Sequence, residues 1–307
     1  MRLETDLLLD RRRLKRRLSF WRGLAIVTAL FAIVLAMRDD DSRFSLETAH
    51  VERLTISGII TEDRKLTEAI TKLADRDTVK ALIVTIDSPG GSVAGGESLY
   101  EAIGRVAAKK PVVAVMGGTA ASAGYMIAMP ASRIFAREAT ITGSIGVILE
   151  TGEASGLLKI IGITAEAITS GPLKDQPNPA HPLSEQGRAV LKGLVMDMYE
   201  QFVAMVALGR HMPPERVREL GDGRAYTGRQ ALGLGLIDAI GGEREARQFL
   251  ATKGIPVDLP ATDLSSAGFA ERTFRGGGGV FDGVWKNLFS QGVTLDGAWA
   301  LWQPSRN

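Results

Sequence analysis

From Val51 onward, short apolar β-rich runs alternate with segments of helical period. That alternation restricts the chain to an α/β sheet assembled from crossover units. Val51–Ile60 reads as a strand, Lys65–Asp75 as a helix, Val79–Ile86 as a buried strand, Gly95–Ala108 as a helix and Pro111–Met116 as another apolar strand. Ser184–Gly209 reads as a long amphipathic helix opened by Ser184 and Glu185, and Pro213–Leu220 as a short one. With 307 residues, 45% of them hydrophobic, the chain can bury a proper core in one large domain or two small ones. The period is lost in Gly254–Asn307, which holds Gly276–Gly279 and scattered aromatics. That tail is expected to be linker-like, with an amphipathic end near Val284–Trp302.

The N-terminus carries an address. Arg11, Arg12, Arg13, Lys15, Arg16 and Arg17 lie in residues 1–19 and precede the apolar run 20–37, broken only by Arg22. As a helix this run reaches roughly 27 Å, close to the roughly 30 Å hydrocarbon core of a bilayer. Arg22 can snorkel to the headgroups and Trp21 suits the interface. Arg38-Asp39-Asp40-Asp41 follows, so the positive-inside rule expects residues 1–19 in the cytoplasm and the rest outside it. No convincing small-x-small cleavage site precedes Arg38, and the run is read as an uncleaved anchor in the lipid bilayer of the inner membrane. Over the whole chain the net charge is only +2, which gives no nucleic-acid footprint. The chain has no cysteine, which excludes disulfides and thiolate metal sites.

Three segments place glycine and polar residues where apolar strands end. Asp87-Ser88-Pro89-Gly90-Gly91-Ser92 follows the strand Val79–Ile86; consecutive glycines free the backbone to turn N–H donors toward a phosphate or a developing oxyanion. A simple strand-to-helix turn is the alternative. Gly117-Gly118-Thr119-Ala120-Ala121-Ser122-Ala123-Gly124-Tyr125 surrounds one serine with small residues, and Ala123–Met129 can start a helix. A serine there gains from the positive end of the helix dipole, or serves merely as a cap. Thr169-Ser170-Gly171-Pro172-Leu173-Lys174-Asp175 supplies a lysine. A nucleophilic serine needs a base, and His50, His181 and His211 carry no local orienting signature. A lysine serves only when its amine is neutral, and an isolated loop lysine is ordinarily a solvated charge.

Taken together, these segments resemble the signal peptide peptidase A family, Ser-Lys bacterial proteases of the ClpP/crotonase fold, a repeated ββα spiral. The matching pieces are Asp87-Ser88-Pro89-Gly90-Gly91, Ala120-Ala121-Ser122-Ala123-Gly124-Tyr125, Thr142-Gly143-Ser144-Ile145-Gly146-Val147 and Ser170-Gly171-Pro172-Leu173-Lys174-Asp175. The last runs from Asp222 to Ala231 and closes at Gly235-Leu236-Ile237-Asp238; the likeness covers about Val51 to Phe249. The resemblance implies Ser122 as nucleophile, Lys174 as general base and Ser144 as the hydroxyl that orients the amine. It implies Gly91 as the oxyanion donor, with Gly90 and Ala123 beside it on the substrate. Many relatives carry Ser-Gly-Gly-Tyr-Tyr where this chain has Ser122-Ala123-Gly124-Tyr125-Met126, a departure expected to reshape the substrate groove.

The protease domain expected over residues 50–253 is the short, single-copy form, for which the resemblance implies a homo-oligomeric ring. The implied substrates are signal-peptide remnants or small membrane peptides, with no metal or organic cofactor. An alkaline optimum is expected because the amine must be neutral. Two rivals share parts of this reading. A crotonase-fold acyl-CoA hydratase or isomerase would place carboxylates in the pocket and need no anchor, and a membrane-tethered scaffold would bind without cutting.

Overall fold

The computed structural model describes residues 48–264 and 299–301, together with Trp21, Arg22, Leu24 and Thr28. It divides into two compact units, residues 1–48 and 49–307. In the first, the four described positions among residues 21–28 are helical, and the Thr28 hydroxyl donates to the Leu24 carbonyl at 2.8 Å. The remainder of the expected anchor 20–37 lies outside the described residues. Among the described residues, no helix is long and apolar enough to cross a membrane.

The second unit is a mixed α/β structure. Its first half reads β1 (His50–Ile60), α1 (Arg64–Leu73), β2 (Val79–Ser92), α2 (Val93–Ala107), β3 (Val112–Ala121), α3 (Ala123–Met126), β4 (Arg133–Ala136) and β5 (Ile141–Gly143). There follow α4 (Ser155–Ile160), α5 (Glu185–Arg210), α6 (Pro214–Leu220), β6 (Ala225–Thr227), α7 (Gly228–Gly233), β7 (Ala239–Ile240), α8 (Glu243–Ala251), β8 (Ala261–Asp263) and β9 (Trp299–Leu301). The main sheet order is β6-β5-β3-β2-β1-β8, with β4 between β3 and β7 and with β9 on β2. Neighbours are parallel except β5 with β6 and β2 with β9.

Helices cover both faces of the central strands, so those strands carry nearly continuous apolar runs. Leu82, Val84 and Ile86 join Leu54, Ile56, Ala114 and Met116 under α1, α2 and α5, which contribute Ile70, Leu73, Ile103, Val106, Phe202 and Val206. Their alternates Ala81 and Ile83 pack with Val51, Val113, Val115 and Phe135 under Ala246 and Leu250 of α8. Truncating any fully buried Leu or Ile here to Ala is worth about 2–5 kcal/mol of stability.

One expectation needs correction. The glycine segment after Ile86 is not a turn; β2 runs on to Ser92, because β1 stays paired beside it through Ile59↔Gly90 and Ile60↔Gly91. The amphipathic end foreseen near Val284–Trp302 lies outside the described residues except at Trp299–Leu301, which form a strand.

Candidate active site

The carboxyl ends of β2, β3 and β5 converge on one place. Beyond Ser88↔Ala120, β3 parts from β2, so the last residues of β2 keep β1 on one side and open the other edge. That edge takes β9 antiparallel, in the register Gly90↔Leu301, Gly91↔Ala300 and Ser92↔Trp299. On the other edge only glycine permits the close approach of β1: a Cβ on Gly91 would lie 1.9 Å from the Ile60 carbonyl oxygen. The buried Ser88 hydroxyl accepts from Gly90 N at 3.1 Å, and Ser92 caps α2 by accepting from Gly95 N at 3.2 Å.

Ser122 stands between β3 and α3 with φ 55° and ψ −122°, a conformation that L residues rarely adopt. Its N–H donates to Gly143 O at 2.8 Å, and its carbonyl accepts from Tyr125 N and Met126 N. A strained turn between strand and helix is the geometry that a nucleophile elbow requires. Gly124 lets the turn pack on β2, since a Cβ there would come 2.9 Å from Ser88 O. Ser122 is fully buried, yet its Oγ has no hydrogen-bond partner. Orphaned buried hydroxyls are rare in folded proteins, and one on a strained turn makes Ser122 the candidate nucleophile of the site.

Ser144 lies beside it. The register Ala121↔Gly143 makes Ser122 and Ser144 the next residues of adjacent parallel strands. Ser144 also has positive φ, 49°, and is held by N–H to Arg224 O at 2.9 Å and by Oγ donating to Gly223 O at 3.1 Å. A hydroxyl that donates outward keeps its oxygen lone pairs for an incoming amine.

The lysine is elsewhere. Lys174 is exposed, in a turn closed by its own N–H to Gly171 O at 3.1 Å. Since the Ser122 hydroxyl has no partner, neither Lys174 nor any histidine of this chain reaches it. His50 is instead buried against Glu52 at 3.0 Å, and His211 closes α5 in the left-handed region. The turn that carries Lys174 is nonetheless built: the Gln176 side-chain oxygen accepts from Ser184 N and Ser184 Oγ, both at 3.0 Å, at the cap of α5. The preceding segment is largely solvent-exposed and apolar, with Ile160 83% and Ile168 98% exposed.

Ala123 and Met126, where the chain departs from many relatives, lie at the start and end of α3. Both side chains are buried, and Met126 Sδ and Ala123 Cβ lie 3.0 and 3.1 Å from where a Gly96 Cβ would stand. They fill the contact between α2 and α3.

Sequence reasoning also passed over a polar network behind Ser122. The buried Tyr125 hydroxyl donates to Leu236 O at 2.6 Å. Arg210 donates Nε to Gly235 O at 2.9 Å and its two Nη atoms to the Asp238 carboxylate at 3.0 and 2.7 Å. Burial of Asp238 opposes its charge, but the Arg210 hydrogen bonds and charge outweigh it, and the carboxyl sits below its ordinary range. The motif containing Gly235-Leu236-Ile237-Asp238 was visible; its partner Arg210, 28 residues earlier, was not.

Residues 105–254 match peptidase family S49. The chain is 41% identical over 203 residues to the putative protease slr0021 of Synechocystis sp., covering 66% of this chain and 73% of that one. It is 40% identical over 178 residues to the putative signal peptide peptidase SppA of Enterococcus faecium, covering 57% and 51%. To the chloroplastic serine protease SPPA of Arabidopsis thaliana it is 35% identical over 208 residues, covering 67% and 30%. The chain thus spans about half of the enterococcal relative and under a third of the plant one.

Proposed function

This chain belongs to peptidase family S49 and is a serine peptidase, and from that premise we propose that Ser122 is its nucleophile and Lys174 of a neighbouring copy its base. The observation that carries the reading is the fully buried, unpartnered Ser122 hydroxyl in a chain whose own Lys174 faces solvent. Each half of the dyad lacks in one chain what a second chain supplies. The exposed isoleucines of the Lys174 segment support its packing on another copy, which would also remove water from around the amine.

In the reaction the Ser122 oxygen attacks the peptide carbonyl carbon while the neutral Lys174 amine takes the hydroxyl proton. The Ser144 oxygen accepts a hydrogen bond from that amine and aims it. The carbonyl oxygen becomes an oxyanion that receives the Gly91 N–H, with the Ala123 N–H adjacent. Collapse expels the amine, which takes the proton back from the lysine. Water, deprotonated by Lys174, then attacks the acyl-enzyme; the acid leaves as the Ser122 oxygen is expelled and takes the proton back from the lysine. The substrate lies extended and antiparallel along Gly90–Ser92 in the place that β9 takes in the single chain, whose pairing there supports the register.

The strand order, with β4 and β5 sharing one edge of β3, supports a ClpP/crotonase-type spiral, and a dyad divided between copies calls for a homo-oligomeric ring. Residues 20–37 anchor the protein in the inner membrane, N-terminus cytoplasmic and peptidase domain outside. There it meets remnant signal peptides and small membrane peptides.

The test uses the full chain in mild detergent with a fluorogenic apolar peptide and, separately, crotonyl-CoA. Peptide cleavage lost by at least about 1000-fold in both Ser122→Ala and Lys174→Ala is expected. Turnover of crotonyl-CoA, or peptide binding without cleavage, would contradict it.

A further inference from the structure

The nucleophile's turn cannot hold itself. Four residues of α3 are far below the length at which a helix is stable alone. Yet this helix must keep Ser122 at φ 55°, a conformation that persists only where the surroundings over-determine it. On the strand side the hold is the Ser122 N–H bond to Gly143 O at 2.8 Å. On the helix side it is the Tyr125 side chain, buried to 0% exposure, with its hydroxyl 2.6 Å from Leu236 O.

The carbonyl that receives Tyr125 is itself fixed from several directions. Gly235 is left-handed, φ 77°, and its carbonyl accepts Arg210 Nε at 2.9 Å. Two residues past Leu236, the Asp238 carboxylate takes both Nη atoms of Arg210 and also the Ile134 N–H at 2.7 Å. Asp238 N returns a bond to Ile134 O at 3.0 Å. The Arg210 side chain is only 8% exposed, so this fork works in a dry setting. None of these groups reaches the Ser122 hydroxyl, and none is a candidate base or oxyanion donor.

We infer that Tyr125, with Arg210 and Asp238 behind it, is a positioning residue for the reaction: its hydroxyl pins the helix that keeps the Ser122 oxygen at the attack angle. This rests on the reading of Ser122 as nucleophile. The inference assigns a task to a tyrosine whose phenol the chemistry does not otherwise use. A misplacement of the nucleophile lowers the rate of the covalent step and leaves substrate binding on the Gly90–Ser92 edge intact.

The experiment compares wild type, Tyr125→Phe, Arg210→Lys and Arg53→Met in the full chain. Tyr125→Phe removes one oxygen and keeps the ring, so the fold is retained. Arg53 bridges Glu243 and Asp263 on β1, seven residues and about 23 Å of strand from Ile60, and serves as a stability control. The readouts are Tm, kcat and KM on the peptide, the pH profile of kcat, and the rate of Ser122 labelling by diisopropyl fluorophosphate. Tyr125→Phe is expected to slow kcat and labelling by about tenfold, with KM within about twofold and the midpoint of the pH profile unmoved. Arg210→Lys, which cannot form the planar fork, is expected to do the same. Labelling in Tyr125→Phe as fast as in a control of equal Tm overturns the positioning role alone. Absence of labelling in the wild type overturns the nucleophile, and this inference with it.

Discussion

A Cβ placed on Gly91 would sit 1.9 Å from a backbone carbonyl oxygen, whereas one on Gly104 would meet nothing within 4 Å. The first obstacle is the β1 backbone, which cannot rotate aside as a side chain can. Gly91→Ala is therefore expected to part β1 from β2 at Ile60, with a stability loss at or above about 3 kcal/mol in denaturant melts and activity lost with it. Gly104→Ala serves as the contrasting substitution and should leave activity unchanged. Among the described residues, the non-glycine positions with positive φ are Ser122, Ser144 and His211. Two of these three are the candidate site serines, so backbone strain gathers where the chemistry is placed. At this scale much was legible. Gly90-Gly91 and the small residues around Ser122 announced close backbone approaches. What they approach, Ile60 O and Ser88 O, depends on strand register and could not be read locally.

At the scale of elements, hydrophobic period located β1, α1, α2 and α5 to within a few residues, because each presents a sustained apolar face. It stopped β2 at Ile86, since a ladder that continues through Asp87–Ser92 leaves no apolar signature. The short strands β4, β5, β6 and β7 were not foreseen either: at two to four residues each they are defined by tertiary pairing. The link from α5 to the turn before β7 is likewise tertiary, made by Arg210 and Asp238. The Asp238 carboxyl is depressed in the folded state, so its contribution is complete above the ordinary aspartate value of about 3.9 and fades as pH falls through the lower folded value. Asp238→Asn should accordingly melt below wild type at neutral pH. The gap in Tm should narrow as pH falls below about 4, as the carboxyl protonates first in the unfolded and then in the folded chain. A gap that stays constant or widens on acidification would show that the carboxylate does not carry this stability.

For the whole molecule, the sequence supplied every member of the proposed site, but chain order says nothing about which copy each member serves. Within one chain the strands bring Ser122, Ser144 and Gly91 to one end of the sheet, while Lys174 stands in solvent beyond an exposed apolar segment. A dyad shared between copies accounts for both the orphaned hydroxyl and the unburied lysine, and it makes activity a property of the assembly. The direct measurement is complementation: Ser122→Ala and Lys174→Ala chains, each inactive alone, are co-expressed with different tags and the mixed assembly is purified through both. In a closed ring with random placement, about a quarter of sites pair an intact serine with an intact neighbouring lysine, and peptide cleavage at about that fraction of wild type is expected. A doubly tagged assembly that cleaves no faster than either variant alone would contradict the account.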